Sequence, residues 1–287
     1  MNGLKSIVAA AMLVCSQQGY CNLSPHEIIQ KAPPSAWRTV ANENVLRITL
    51  PTGHVYVELN PELAPGHVDN IKALAREGFY KGLSVYRFVE GFVAQGGDAL
   101  ETKTPKLGKK AIPAEFALST KQPLLINKLG YQDGYAASTG FYHGFAVAQN
   151  AQGTKTWQTH CTGAFAMARG DGPDTGGTEF YITLAPQRYL DLNITVFGRV
   201  LAGMEHVQKL DREAAEGKVF NLITDVVVLN DVVASEQTKF QVMNTESDEF
   251  SALIKARAHR PEAWFLARPD FTDVCSVAIP TKRLEKE

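Results

Sequence analysis

The stretch "YRFVEGFVAQGGD", residues 86–98, places Arg87 and Gln95 in a run of aromatic and apolar residues and closes on Gly-Gly-Asp. A strand that looks mostly buried has little reason to carry either side chain. Taken alone, it reads as a strand whose Arg87 carries its charged head to the surface. The competing chemical motifs are weak. The seven histidines show no HExxH or other ligand spacing and the four cysteines no CxxC, so no metal site is expected. His160 and Cys161 in "HCTG" are adjacent, and neighbours on an extended chain point to opposite faces, which argues against a nucleophile and its base. "GDGPDTGG", residues 170–177, lacks a lysine and carries Asp171 and Asp174, which would repel a phosphate. A nucleophile-elbow signature is absent too.

The elements that would position Arg87 and Gln95 are legible on either side. Alternating apolar residues flank "PTG" in "NVLRITLPTGHVYVELN" and predict a β-hairpin. Val68, Ile71, Leu74 and Ala75 then recur at helical spacing, with Pro65 at the start and Gly78 at the stop. Residues 99–162 lose this periodicity and read as a long insertion with short elements of its own, "AIPAEF" and "GFAVAQ" among them. Strand character resumes in "TGAFAMAR", "TEFYITLA" and "ITVFGRV". A second helix is predicted in "GMEHVQKLDREAAEG", a last strand in "NLITDVVVLN" and an amphipathic helix in "DEFSALIKARAHR". Many short strands with two core helices predict a mainly β chain, a closed barrel capped by those helices, with the insertion and a C-terminal helical extension.

Charge is balanced at net −1, which argues against nucleic acid and anionic membranes as partners. Lys5 followed by the short apolar run Ile7 to Val14 reads as an export signal over residues 1–21, too short for a stable membrane span. Pro33 and Pro34 make residues 22–42 an extended lead-in. A periplasmic or secreted protein is implied. In such an oxidising compartment, with Cys15 and Cys21 lost with the signal, Cys161 and Cys275 are the candidates for a disulfide.

In order along the chain, "YRFVEGFVAQGGD", "MAR", "PDTGGTEFYI", "YLD" and "VFGRV" resemble the blocks of cyclophilin-type peptidyl-prolyl cis-trans isomerases. That family shows aromatic-His-Arg, Gly-Phe-Met-x-Gln-Gly-Gly-Asp, Met-Ala-Asn, Pro-Asn-Thr-x-Gly-Ser-Gln-Phe-Phe-Ile, Trp-Leu-Asp and Val-Phe-Gly-x-Val. The resemblance covers residues 43–232, interrupted by the insertion 99–162, and leaves 233–287 as a C-terminal extension packed on the barrel; it implies a cyclophilin-like barrel and isomerisation of X-Pro bonds in protein substrates, with no cofactor and with proline-containing polypeptides as partners. It also implies a role in folding exported proteins, and a monomer is expected. The alternative is a peptide-binding or chaperone module with weak or no catalysis. By resemblance Arg87 is the catalytic arginine and Gln95 the glutamine that orients it. Phe92 and Val93 lie under the proline ring, Ala168 offers a backbone contact, and Tyr181 and Leu190 are pocket walls. The substrate-binding set also includes four departures: Arg169 for asparagine, Glu179 for glutamine, Tyr189 for tryptophan and Ile194 for histidine. Glu179 is expected to face Arg87 and compete with substrate for its donors, so that Glu179→Gln would raise activity.

Overall fold

The computed structural model describes residues 20, 22–213 and 220–284, so the expected export signal lies almost wholly outside the described residues. The main sheet has eight strands: β1 (Val45–Leu50), β2 (Gly53–Leu59), β3 (Ser84–Val89), β4 (Val93–Gly97), β5 (Ala164–Met167), β6 (Glu179–Thr183), β7 (Val196–Ala202) and β8 (Asp225–Val228). Their order is β8-β1-β2-β7-β5-β6-β4-β3, antiparallel throughout. The expected hairpin is β1–β2, with Leu50 opposite Gly53. Alternation sets the core. Leu46, Ile48, Val55, Val57 and Leu59 point inward to meet Phe165, Phe180 and Phe197.

The sheet curls into a half-barrel and does not close as the sequence had suggested. Its end strands β3 and β8 form no ladder. The register of β3 shifts between Ser84 and Arg87, and the segment before β8 meets the start of β3 through a single bridge, Ser84 with Leu222. Backbone bonds flank that bridge, from Gly82 N to Ile223 O at 3.0 Å and from Val85 N to Asn221 O at 2.9 Å.

The predicted first core helix spans Pro65–Arg76 and the second only Met204–Gln208, while residues 214–217 of the longer predicted span lie outside the described residues. The lead-in is not wholly extended. Pro25–Lys31 forms a helix, because Pro25 occupies the tolerated first turn and Ser24 and Glu27 complete a capping box. Pro33 and Pro34 lie beyond its end. These helices are α1 (Pro25–Lys31), α2 (Pro65–Arg76) and α3 (Met204–Gln208); the predicted C-terminal helix is α4 (Asp248–Ala258).

The insertion folds as a five-stranded sheet in the order 118–119, 155–158, 145–149, 138–142, 127–128. The chain ends build a three-stranded sheet in which Lys239–Met243 lies between Trp37–Thr39 and Thr281–Leu284. Between them sits a second core: Ile28 from α1, Trp37, Phe141 from the insertion, and Phe250 and Leu253 from α4. The rings of Phe141 and Phe250 meet edge-on at 4.8 Å. Cys161 Sγ is bonded to Cys275 Sγ, at the border of this core.

The insertion also finishes α2. Its N-cap residue, Ala64, has no side chain to accept from the first turn. Glu115 does so, accepting from Gly66 N at 2.9 Å and His67 N at 2.8 Å. Burial pushes the Glu115 carboxyl up, but these bonds and the His67 side chain win and hold it below its ordinary value of 4.5. A carboxylate with a lowered folded-state pKa stabilises above its unfolded pKa and loses that contribution as pH falls through the folded value. Glu115→Ala is therefore expected to cost about 1–2 kcal/mol at neutral pH, as loss of a cap does. The difference from the native chain should shrink in denaturant titrations as pH drops below the glutamate range. A pH-independent difference would assign the loss to packing instead.

Candidate active site

Three neighbouring strands set the centre in one row. Arg87 on β3 lies opposite Gln95 on β4, and Gln95 lies opposite Tyr181 on β6. Gly97 is what lets β4 and β6 approach there. It has φ +129°, and a Cβ on it would come within 2.5 Å of Thr178 O and 2.8 Å of Glu179 Cα. Asp98 then ties down the turn after β4, accepting from Thr102 N at 2.9 Å and Lys103 N at 2.7 Å. The Gly-Gly-Asp of the opening motif thus serves strand spacing and turn closure.

Arg87 is exposed, and its Nη1 donates to Gln95 Oε1 at 3.2 Å. Its guanidinium sits 5.4 Å from the centre of the Phe92 ring. Gln95 is held in turn. Its Nε2 donates to Tyr86 Oη and, at 3.2 Å, to Glu179 Oε2; the Tyr86 hydroxyl donates to the same carboxylate oxygen. A carboxylate only accepts, so the amide nitrogen of Gln95 must face Glu179 and its oxygen must face Arg87. Burial and Glu179 together push the Tyr86 phenol well above its usual range, so it stays a donor. The expected pairing of Glu179 with Arg87 does not form. Tyr86 and Gln95 occupy the carboxylate instead, and the register sets Glu179 opposite Gly97, two positions along β4 from the Gln95 that pairs with Arg87.

Beside Arg87 lies an apolar cluster. Val93, Ala164, Ala166, Tyr181 and Val196 are its buried members, and Phe92, Ala168, Leu190 and Ile194 pack against them. Six of the sequence-predicted residues, Phe92, Val93, Ala168, Tyr181, Leu190 and Ile194, are therefore in one cluster. Ala168 N is bound within the sheet to Glu179 O at 2.9 Å. Tyr189 stays outside the cluster, 58% exposed. Arg169 bridges two segments, its Nε donating to Asn193 O at 3.0 Å and its Nη1 to Gly170 O at 2.7 Å. Its guanidinium stands 5.7 Å from the Phe116 ring, so the insertion comes up to the residue that follows Ala168.

Sequence reasoning missed Tyr86 and Phe116. Tyr86 left a signal, since it stands where the resembling family has histidine, immediately before the arginine. Phe116 left none, because it reaches the site only through the path of the insertion.

The arrangement offers a fixed cation beside an apolar cluster, and among the described residues the side-chain contacts of Arg87 are to Gln95 and Phe92, neither of them a nucleophile. That suits a reaction in which a bond rotates and none breaks. Comparison with known proteins points the same way. Residues 45–234 match the family model described as "Cyclophilin type peptidyl-prolyl cis-trans isomerase/CLD". A probable peptidyl-prolyl cis-trans isomerase of Brucella suis is 30% identical over 192 residues, covering 62% of this chain and 78% of that one. Peptidyl-prolyl cis-trans isomerase B of Bacillus subtilis is 33% identical over 153 residues, covering 53% and 80%. The crystal structure of cyclophilin AquaCyp293 from Hirschia baltica superposes with a TM-score of 0.73 at 27% identity, covering 90% of this chain and 97% of that one. The chain belongs to the cyclophilin-type peptidyl-prolyl cis-trans isomerases.

Proposed function

We propose that the apolar cluster walls a hollow that seats the proline ring of an X-Pro bond and that Arg87 is the catalytic residue. The observation that carries this is the alignment of Arg87, Gln95 and Tyr181 across three strands beside one apolar cluster. An X-Pro bond resists rotation with a barrier of about 18–20 kcal/mol because the nitrogen lone pair is shared with the carbonyl. In the twisted state that lone pair returns to nitrogen, which becomes pyramidal and basic. A guanidinium N–H donates to it only then, so Arg87 binds the transition state better than either ground state. Phe92, Val93, Tyr181, Leu190 and Ile194 hold the ring while the preceding carbonyl swings, and the backbone near Ala168 holds the flanking peptide. Gln95 fixes the guanidinium. Acceleration of cis-to-trans conversion in a proline tetrapeptide tests the reading, and a rate equal to the uncatalysed one would overturn it.

Glu179 is placed to orient Gln95, and the expectation that Glu179→Gln raises activity loses its basis. A glutamine oxygen can accept from Tyr86 and Gln95 as the carboxylate does, whereas Glu179→Leu leaves Gln95 free to turn. Glu179→Leu is expected to lower kcat/KM by about tenfold, the size of one lost positioning hydrogen bond of roughly 1.4 kcal/mol. Glu179→Gln should lose clearly less than Glu179→Leu. Equal losses in the same peptide assay would show that the charge, and not the orientation of Gln95, is what counts.

We further infer that residues 43–232 are the catalytic domain, that α2 and α3 cap its sheet, and that 233–287 is an extension packed on it. Val68, Ile71 and Leu74 of α2 and Val207 of α3 are buried in the main core, which supports that reading. We place the protein in the periplasm or outside the cell, as a monomer assisting the folding of exported proteins. Lys5 with the apolar run that follows supports export, as does the bond between Cys161 and Cys275. Among the described residues no helix is long and apolar enough to cross a membrane. Intact mass of the chain recovered from a bacterial periplasm would show whether the first residues are removed.

A further inference from the structure

Tyr181 stands where the resembling family has phenylalanine, so a hydroxyl has entered a wall that must present carbon to a proline ring. Tyr181 is 5% exposed, and its Oη lies 2.9 Å from Nε2 of His160, which is 0% exposed. On the other side of that ring Nδ1 lies 2.9 Å from Asp191 Oδ1, which also accepts from His160 N at 2.9 Å. Asp191 Oδ2 accepts from Arg188 Nε at 2.6 Å and from Trp157 Nε1 at 3.4 Å. Arg188 reaches on to the insertion, its Nη1 and Nη2 donating to Asp133 at 3.0 and 3.1 Å. A buried polar line therefore runs from Asp133 to the back of the hollow.

Its direction is set at the carboxylate. Asp191 only accepts, so Nδ1 of His160 carries a hydrogen, and in a neutral imidazole Nε2 is then a lone pair. The Tyr181 hydroxyl must donate to it. Protonating the ring would turn Nε2 into a donor and leave the phenolic hydrogen without an acceptor among the described residues, in a wall where an unpaired polar group is costly.

We propose that His160 is a positioning residue for the isomerase reaction: it takes up the Tyr181 hydroxyl and turns it into the protein, so that Tyr181 meets the proline ring as a phenyl face. This rests on the reading of the hollow as the proline pocket. The wall touches the ring in ground and transition states alike, so its disturbance should raise KM more than it lowers kcat.

The test uses the full chain. His160→Asn retains an amide nitrogen that can reach Asp191 and has no atom where Nε2 was. It should lower kcat/KM for a proline peptide by about tenfold, chiefly through KM, as one unmade hydrogen bond does. In a Tyr181→Phe background the same His160→Asn change should cost nothing further, because the hydroxyl it served is gone. An unimpaired His160→Asn, or a loss of the same size in the Tyr181→Phe background, would overturn the proposal. Long-range nitrogen-proton correlation spectra of the native chain, without substrate, supply a measurement that needs no variant to fold. His160 should show a protonated Nδ1 and a bare Nε2, and the other tautomer or an imidazolium would overturn it. Those spectra report on His160 even if the native chain failed to isomerise a peptide, so failure of the proline-pocket reading stays distinguishable.

Discussion

Arg87→Ala is expected to lower kcat/KM for an X-Pro peptide by about 10²–10³-fold, the loss typical when one preorganised donor is removed from a charge that develops in the transition state. The fold should survive. Arg87 is exposed, its hydrogen bond is to Gln95 and its ring contact to Phe92, so the melting curve should move little. Arg87→Lys should recover only part of the rate. An ammonium is a point charge on a flexible stem and cannot present the planar fork that Gln95 Oε1 holds at 3.2 Å. Protease-free assays of cis-to-trans conversion, run beside thermal melts, separate the two effects. Unchanged activity in Arg87→Ala with a normal melt would sink the mechanism, since among the described residues Arg87 is the cation set against the Phe92 ring.

The second large effect concerns the bond between Cys161 and Cys275, which closes a loop spanning 114 positions in sequence. In the chain-entropy model a loop of that order is worth about 4–5 kcal/mol, because the open unfolded chain regains the freedom the bond removed. Cys275→Ser, or reduction, should therefore lower Tm by about 10 °C, at roughly 2–4 °C per kcal/mol for domains of somewhat smaller size. The damage should begin away from Arg87. Val274 and Val277 anchor the extension beside Phe250 and Leu253 in the second core, whereas the hollow draws on β4 to β7. Hydrogen exchange should rise first in residues 239–284, with peptide isomerisation retained at temperatures below the new midpoint. Thiol labelling of the denatured chain lacking residues 1–21, before and after reduction, checks the bond itself, and two thiols free without reduction would exclude it in solution.

Much of this protein was legible in its residues because the signals are local. The β1–β2 hairpin follows from alternation around "PTG", and α2 follows from 3.6-residue spacing bounded by Pro65 and Gly78. Arg87, Phe92, Val93 and Gln95 lie in a single strand-turn-strand, so a short motif is enough to bring them together. Where local signals conflicted, reading failed: Pro33 and Pro34 masked α1, although Ser24, Pro25 and Glu27 already spelled a helix start. Other features have no local signature at all. Nothing near Glu115 announces a cap for α2, nothing near Asp133 announces Arg188, and nothing near Tyr86 announces the carboxylate of Glu179. How far the sheet approaches closure depends on the path of residues 220–223 past β3, and where the insertion packs depends on a core it shares with α4, in which Phe141 meets Phe250. Period and turn chemistry act over a few residues and are written along the chain. Ion pairs, caps and shared cores join residues tens to more than a hundred positions apart, and only the folded path of the chain brings those within a few ångströms.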